Sequence, residues 1–287
     1  MGFVTNARAA LTDKRIAIGY VRYGASKVLH SGAAVRSLPD GIKITGFSGF
    51  GEFYNCSDCL SRDERSFLSR LRLPAGEIID VGANLGTVCL TLAKQHPLCN
   101  VHAFEPNPST FEALRRNIAL NNLGNVKAVP YAVCDHAGEV DFNAHPVNRA
   151  TTSIARQALD GHVTRVPCTT LDEYVGRAAV GEVAVLKIDV EGYESLVLRG
   201  AEELLGKRRV RLVYYEVCPE LTRAAGFDPA LPTRMLKSYG YEVFRFGGRG
   251  GLVPAAVEDV KGVLLENWVA IAASAEVGIP ARTIKCL

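Results

Sequence analysis

From about residue 77 onward, short apolar runs alternate with stretches whose apolar residues recur every three or four positions. "EIIDVG" is a short, almost wholly apolar strand, and beyond Gly86 the positions Cys89, Leu92 and Ala93 share one helical face. "NVHAFE" predicts the second strand. Asn107 can cap the next helix with Pro108 at its first position, while Phe111, Leu114 and Ile118 form its inner face and Gly124 stops it. "NVKAVPYAV" predicts a third strand. "EVAVLKIDV" predicts a fourth, apolar on both faces until Lys187 and Asp189, as expected of a strand covered by helices on both sides. Val197, Ala201, Leu204 and Leu205 mark the helix that follows, and "RVRLVYYEV" predicts a fifth strand. A helix around 230–239 and two last strands, "YEVFRF" and "NWVAIAA", complete the pattern. The "GGRGG" between those two reads as a flexible hairpin-type connection, because no helix follows it as a phosphate loop requires.

Strand and helix in alternation predict an α/β fold, a doubly wound and mostly parallel sheet with helices on both faces. Such sheets bind ligands beyond the carboxyl ends of their strands, where strand order reverses. That rule singles out Gly82 to Gly86, Glu105, and Asp189 to Glu191. Residues 1–70 fit the alternation poorly, so the expected division is a small N-terminal cap over 1–60 and one larger domain over 61–287. The polar stretch 143–162 reads as a loop or lid. In "GFSGFGEFYN", Phe47, Phe50, Phe53 and Tyr54 either seal the cap against the sheet or form a wall that stacks on a sugar or ring.

Composition narrows the function classes. The chain has 287 residues, 48% of them apolar, so it can bury a sizeable core. Its net charge of +3, from 33 basic and 30 acidic residues, is too balanced to imply nucleic acid as a partner. "IAIGYV" is too short for the apolar core of a signal peptide, and "MGFVTN" places Asn6 where a myristoylation signal needs Ser or Thr. No stretch approaches the roughly 20 apolar residues of a membrane span. A soluble cytoplasmic protein is the expectation, with a small-molecule or glycan partner and homo-oligomerisation left open. Of the eight cysteines, Cys56 and Cys59 form a C-x-x-C with no second pair at zinc spacing. Reduced structural thiols are therefore expected.

The glycine turn "IIDVGANLG" decides the ligand. A dinucleotide fingerprint needs G-x-G-x-x-G, and here Asn84 stands at the middle glycine and the third is missing. A P-loop needs Gly-Lys-Ser or Gly-Lys-Thr, whereas Gly86 is followed by Thr87 alone. D-x-G-x-x-x-G suits a ligand without phosphate that carries a carboxylate, an ammonium and a sulfonium. Asp80 can neutralise its cationic end, and the glycines let that end lie against backbone. Glu105, at the end of the second strand, can accept both hydroxyl protons of a ribose.

The blocks "IIDVGANLGTVCLTLAK", "VHAFEPNPSTFEALRRNIALNN" and "VAVLKIDVEGYESLVLRGAEELL" resemble three successive blocks of the FkbM family of S-adenosylmethionine-dependent methyltransferases. "TTLDEY" and "YYEVCPE" fit the same pattern, and the resemblance runs from about residue 60 to 272. It implies the class I methyltransferase (Rossmann-like) fold, with a seven-stranded sheet whose last pair is antiparallel. It further implies O-methylation of a hydroxyl, on a sugar of a glycoconjugate or on a natural product. By the same resemblance Asp80, Gly82, Ala83, Asn84 and Gly86 fall in the first cofactor motif, and Glu105 with Pro106 in the ribose motif. Ala132 and Asp135 would flank the adenine. The first 55 or so residues match nothing in the family, so acceptor recognition has no sequence support.

Methyl transfer to an alcohol needs in-line alignment and a group that takes the hydroxyl proton. Period two puts Lys187 and Asp189 on one face of the fourth strand, with Glu191 just past its end. Asp189 is expected to orient the acceptor or act as base, with Glu191 assisting; a buried Lys187–Asp189 pair that merely orders the strand end is the alternative. Glu216, on the adjacent fifth strand, permits a Mg²⁺ site with Asp189 and Glu191 without requiring one, and a metal-independent enzyme is the favoured reading. His145, Asn148, Arg149 and His162 in the polar loop are further candidates for base or acceptor grip. "DVEG" stands where N-methyltransferases carry Asn-Pro-Pro-Tyr or Asp-Pro-Pro-Tyr. Two other function classes remain at this point: a nicotinamide-dependent oxidoreductase or epimerase on a similar sheet, and a non-catalytic nucleoside-binding module.

Overall fold

The computed structural model describes residues 14–30, 32–56, 60–143, 153–154 and 163–273. Its centre is a sheet of eight strands in the order β13-β12-β14-β11-β10-β3-β4-β5. Five of these are parallel: β3 (Gly76–Val81), β4 (Cys99–Phe104), β5 (Val126–Val129), β10 (Val183–Ile188) and β11 (Val210–Val217). β14 (Glu266–Ala272) runs antiparallel between β11 and β12 (Tyr241–Phe246). Strand order reverses between β3 and β10, so the carboxyl ends of these two strands flank the crevice where such sheets bind ligands. This is the α/β class expected, with the arrangement of a class I methyltransferase.

The apolar pattern explains the layers. Every residue of β10 is buried, and alternate residues of the central strands face opposite sides. Ile79, Leu186, Val213 and Tyr215 join one core with helices α6 (Leu171–Arg177), α7 (Glu194–Arg199), α8 (Glu202–Gly206) and α10 (Leu231–Ser238). Ile78, Val185, Leu212 and Tyr214 join the other with α3 (Arg62–Arg70), α4 (Thr87–Gln95) and α5 (Pro108–Leu120). The α5 cap is as read: the Asn107 side chain accepts from Ser109 and Thr110 N–H, with Pro108 at the first turn.

Four details depart from the sequence reading. The sheet has eight strands rather than seven, because β13 (Leu252–Pro254) returns antiparallel on β12 through the glycine-rich connection. "NVKAVPYAV" is not one strand: β5 ends at Val129, and Ala132–Val133 form β6 of a second sheet. Pro130 lies at the break, where a residue without an N–H cannot extend a ladder. That second sheet, ordered β6-β9-β7-β8, contains β7 (Gly138–Asn143), β9 (Val163–Thr169) and Ser153–Ile154 (β8), so three described residues of the stretch read as a loop, Asn143, Ser153 and Ile154, are strand. Finally, the helix through Val197 and Leu205 is two helices, broken at Gly200, where a Cβ would lie 2.1 Å from the carbonyl oxygen of Cys134.

Ahead of the sheet lie α1 (Lys14–Leu29), the hairpin β1 (Val35–Ser37) and β2 (Lys43–Thr45), and α2 (Phe50–Asn55). Side chains of α5 fasten the hairpin: Asn117 Nδ2 donates to Thr45 O (3.1 Å) and Asn121 Nδ2 to Lys43 O (2.7 Å). The aromatic cluster seals this region. Tyr20 of α1 stacks on Phe50 at 3.5 Å, Phe50 meets Tyr54 at 5.5 Å, and Phe47 meets Phe53 edge-on at 5.3 Å.

Candidate active site

The turn after β3 is built for close approach. Gly82 has φ +82°, and a Cβ there would lie 1.9 Å from the carbonyl oxygen of Asp189 at the end of β10. Gly86 caps α4 at φ +93°, where a Cβ would press on Leu114 at 2.8 Å. Asn84 takes φ +49°, a left-handed conformation that asparagine tolerates better than most residues. Gly82 and Ala83 both donate N–H to Phe104 O, at 3.1 and 2.9 Å, which ties the turn to the end of β4.

One residue beyond β4, Glu105 is 5% exposed and fixed at both oxygens. Oε2 accepts from Asn84 N–H at 3.0 Å and Oε1 from Asn107 N–H at 2.9 Å. A carboxylate oxygen can accept more than one hydrogen bond, so the two backbone contacts aim the group without by themselves using up its accepting capacity. On its far side a slot of about 40 Å³ is walled by Phe104, Pro106, Tyr131, Ala132 and Phe142. Asp135 is not part of that wall; its carboxylate faces His136 (2.9 Å) and Arg199 (3.9 Å).

On the near side opens a cavity of about 210 Å³. Among the described residues, Asp80, Glu105, Asp189, Glu191 and Glu216 border it, against one cation, Lys187. Asp80 is fully buried, and among the described residues neither of its oxygens has a partner at full hydrogen-bond geometry, with Cys89 the neighbouring donor. Burial pushes its carboxyl above the usual range, opposed by Lys187, whose Nζ lies 3.7 Å away. Lys187 Nζ donates to Asp189 Oδ2 at 3.0 Å. Burial alone would lower the ammonium's proton affinity, but Asp189 and Asp80 raise it, so Lys187 is charged and clamps the two strand ends together.

The D-V-E-G turn holds its second acid under strain. Glu191 has φ +57° and Gly192 φ +97°. Glu194 Oε1 accepts from Val190 and Gly192 N–H at 3.3 and 3.1 Å, which secures the turn. Burial, then the Asp189 and Glu194 charges, push Glu191 up to about 8. Burial with the Asp189 and Glu191 charges likewise raises Glu216. Asp189, Glu191 and Glu216 do not bring one oxygen each within 4.8 Å of one another, so the described residues offer no ready-made Mg²⁺ cage from that set.

Thus the structure brings Asp80, Gly82, Ala83, Asn84, Glu105, Lys187, Asp189 and Glu191 to one cavity, with Pro106 and Ala132 in the adjoining slot. Gly86 acts one step back, by closing the turn. Phe47, Phe50, Phe53 and Tyr54 border neither space, and His145, Asn148, Arg149 and His162 lie outside the described residues.

Three site residues escaped the sequence reading. Glu64 of α3 is buried; its Oε1 accepts from Tyr214 OH and from Asn267 Nδ2 (2.7 Å), while Oε2 accepts from Ser61 N–H at 2.6 Å. Tyr214 and Asn267 both border the cavity, and Asn267 stands opposite Glu216 across the β11–β14 ladder. Asn267 Oδ1 and Glu216 Oε2 are buried without a hydrogen-bond partner among the described residues. The signal that could have found Glu64 is the Ser61-x-x-Glu64 capping box at the start of α3.

Comparison with known proteins agrees with this geometry. The family model described as the methyltransferase FkbM domain matches residues 80–243, more than half of the chain. The chain is 34% identical over 160 residues to the hexuronic acid methyltransferase AglP of Haloferax volcanii, covering 55% of this chain and 59% of that protein. It is 30% identical over 199 residues to the 31-O-demethyl-FK506 methyltransferase FkbM of Streptomyces tacrolimicus, covering 59% and 74%. It is 27% identical over 170 residues to the 2-O-methyltransferase NoeI of Sinorhizobium fredii, covering 53% and 67%. The match thus spans about three fifths of AglP and more of the other two. The glycine turn, Glu105 and the D-V-E-G turn all fall inside the matched segment, and the chain belongs to the FkbM family of methyltransferases.

Proposed function

We propose that the protein transfers a methyl group from S-adenosylmethionine to a hydroxyl, on a sugar of a glycoconjugate or on a natural product. The observation that carries this reading is the charge of the cavity: among the described residues Asp80, Glu105 and Asp189 border it against one cation, Lys187, while Glu191 and Glu216 are largely protonated near neutral pH. A ligand with an ammonium and a sulfonium is attracted there, whereas the pyrophosphate of a nicotinamide dinucleotide is repelled. The donor set also fits the cofactor in detail. Asp80, buried and without a partner at full hydrogen-bond geometry among the described residues, receives the ammonium; Glu105, aimed by two backbone N–H groups, receives the ribose hydroxyls; the apolar slot with Ala132 and Pro106 takes the adenine.

When bound, S-adenosylmethionine supplies an activated methyl group on a positive sulfur. The chain's own task is to hold an alcohol in line with that methyl and to receive its proton. Lys187 fixes Asp189 at the cavity edge, where the free carboxylate oxygen can orient the acceptor hydroxyl. Glu191, with its proton affinity raised to about 8, is matched to take the proton near neutral pH. The names of two relatives specify O-methylation and a third specifies a hexuronic acid, which supports an oxygen acceptor on a sugar or polyketide scaffold. The described helices include none long and apolar enough to cross a membrane, in keeping with an acceptor met in solution or at a surface.

The test is transfer of a labelled methyl group to a panel of hexuronic acids, neutral sugars and polyketide alcohols, with the product's methyl position read by NMR. An O-methyl product is expected from at least one class. Cofactor binding without transfer to any hydroxyl, or transfer to nitrogen alone, would overturn the reading.

A further inference from the structure

Away from the cavity, the second sheet brings two thiols and an imidazole together. Cys134, His136 and Cys168 each place one ligand atom within 4.8 Å of the others. The backbone sets this up. Cys168 lies on β9, the strand between β6 and β7, in register with Ala132 on one side and Gly138 on the other. The turn 134–137 therefore starts and ends beside Cys168. Cys134 N–H donates to Thr169 O at 3.1 Å, and the chain re-enters β7 through Gly138 at φ +135°, a conformation open mainly to glycine. Both sulfurs point at the same carbonyl: His136 O lies 3.1 Å from Cys134 Sγ and 3.5 Å from Cys168 Sγ. Close backbone approach of Gly200 to Cys134 O locks the turn from behind.

We infer that Cys134, Cys168 and His136 form a binding site for a zinc-type divalent cation. A tetrahedral centre with bonds of about 2.3 Å to sulfur and about 2.0 Å to nitrogen holds its ligand atoms roughly 3.5–3.8 Å apart. Cys134 Sγ already lies 3.9 Å from His136 Nδ1, so only a small contraction is needed. Two sulfurs and a nitrogen select a borderline-soft ion over Mg²⁺ or Ca²⁺, which need oxygen cages. In the metal-free chain His136 Nδ1 pairs with Asp135 Oδ1 at 2.9 Å, a contact that a cation bound at Nδ1 would replace. The His136 side chain is 58% exposed, which leaves the fourth corner to water. On binding, each thiol releases its proton to solvent and forms one sulfur–metal bond; no electron changes hands. The cation would clamp the 134–137 turn to β9. Tyr131 and Ala132 before that turn and Phe142 after it wall the narrow slot beside Glu105, so the clamp stiffens one side of the ligand site.

The test uses the full chain. Metal content is measured after loading with Zn²⁺ and exhaustive dialysis, and Co²⁺ is titrated in as a spectroscopic probe. About one equivalent is expected, with a near-ultraviolet sulfur-to-cobalt band and tetrahedral visible bands. His136→Ala, an exposed position that should leave folding intact, removes a direct ligand and is expected to weaken Zn²⁺ binding at least about 100-fold, beyond the roughly 10–100-fold that loss of an outer-shell partner costs. Cys134→Ser and Cys168→Ser should each diminish the sulfur-to-cobalt band. Absence of that band in the wild-type chain would overturn the site. So would a band that persists in both cysteine variants and vanishes in Cys56→Ser, which would assign the metal to the Cys56–Cys59 pair.

Discussion

The carbonyl oxygen of Asp189 occupies the space in which Gly82 would carry a side chain, 1.9 Å from where its Cβ would be. The turn after β3 and the end of β10 thus meet backbone to backbone. This contact sets the spacing between the residues proposed to hold the cofactor and the one proposed to orient the acceptor. Because Gly82 also has φ +82°, Gly82→Ala meets overpacking, which costs roughly 1–3 kcal/mol, and left-handed strain of about 1–2 kcal/mol. A loss of about 2–4 kcal/mol in urea unfolding is expected. An unchanged midpoint would mean that the two strand ends can part freely.

Glu105 braces the turn and is proposed to hold the ribose as well. Glu105→Ala orphans the Asn84 and Asn107 N–H groups and removes the ribose acceptor. Cofactor affinity should fall by about 1.5–3 kcal/mol, the range of a charge-assisted hydrogen bond. Titration of the variant checks this, and wild-type affinity would remove Glu105 from the ribose site.

The raised carboxyls make stability pH-dependent in a definite direction. Glu191 titrates near 8 in the folded chain against an ordinary value of 4.5, so the folded state holds a proton that the unfolded state has lost. Its contribution is complete below about pH 4.5 and disappears as pH rises through about 8. The melting temperature of the ligand-free protein should therefore fall between pH 5 and pH 8.5. Glu191→Gln should flatten that fall, while Glu216 continues to contribute at higher pH because its carboxyl is raised further. Parallel slopes for variant and wild type would show that Glu191 is ionised throughout.

Asp189 has a different signature. Asp189→Asn keeps the shape of the strand end but loses the carboxylate paired with Lys187. Cofactor affinity should stay near wild type while turnover drops at least about tenfold, a floor set below the 10²–10⁴ typical of acid–base groups because the amide can still orient the acceptor. Full turnover in the variant would take Asp189 out of the mechanism.

Much of this site was legible because its residues obey local rules. β3, β4, β10 and β11 are mostly apolar runs, and Asp80, Gly82 and Glu105 sit at fixed offsets from the ends of β3 and β4. What sequence missed depends on contacts between distant segments. The Ser61–Glu64 pair reads as an ordinary helix start, and nothing local tells that Glu64 is buried against Tyr214 and Asn267. The third apolar run looked continuous because Pro130 was outweighed by its neighbours, yet the missing N–H divides it between two sheets. Three-residue β13 is too short to register as a period. The aromatic cluster reads as a seal, with a stacking wall as the alternative, and its pairing with Tyr20, on a separate helix, depends on a contact no local pattern shows.

The most direct measurement is calorimetric titration of the purified protein with S-adenosylmethionine and S-adenosylhomocysteine, with NAD as control. The acid-lined cavity, with Asp80 and Glu105 aimed into it, predicts micromolar binding of both sulfur nucleosides and none of NAD, about −8 kcal/mol for each ligand that binds. Binding of NAD, or silence towards both sulfur nucleosides, would contradict it.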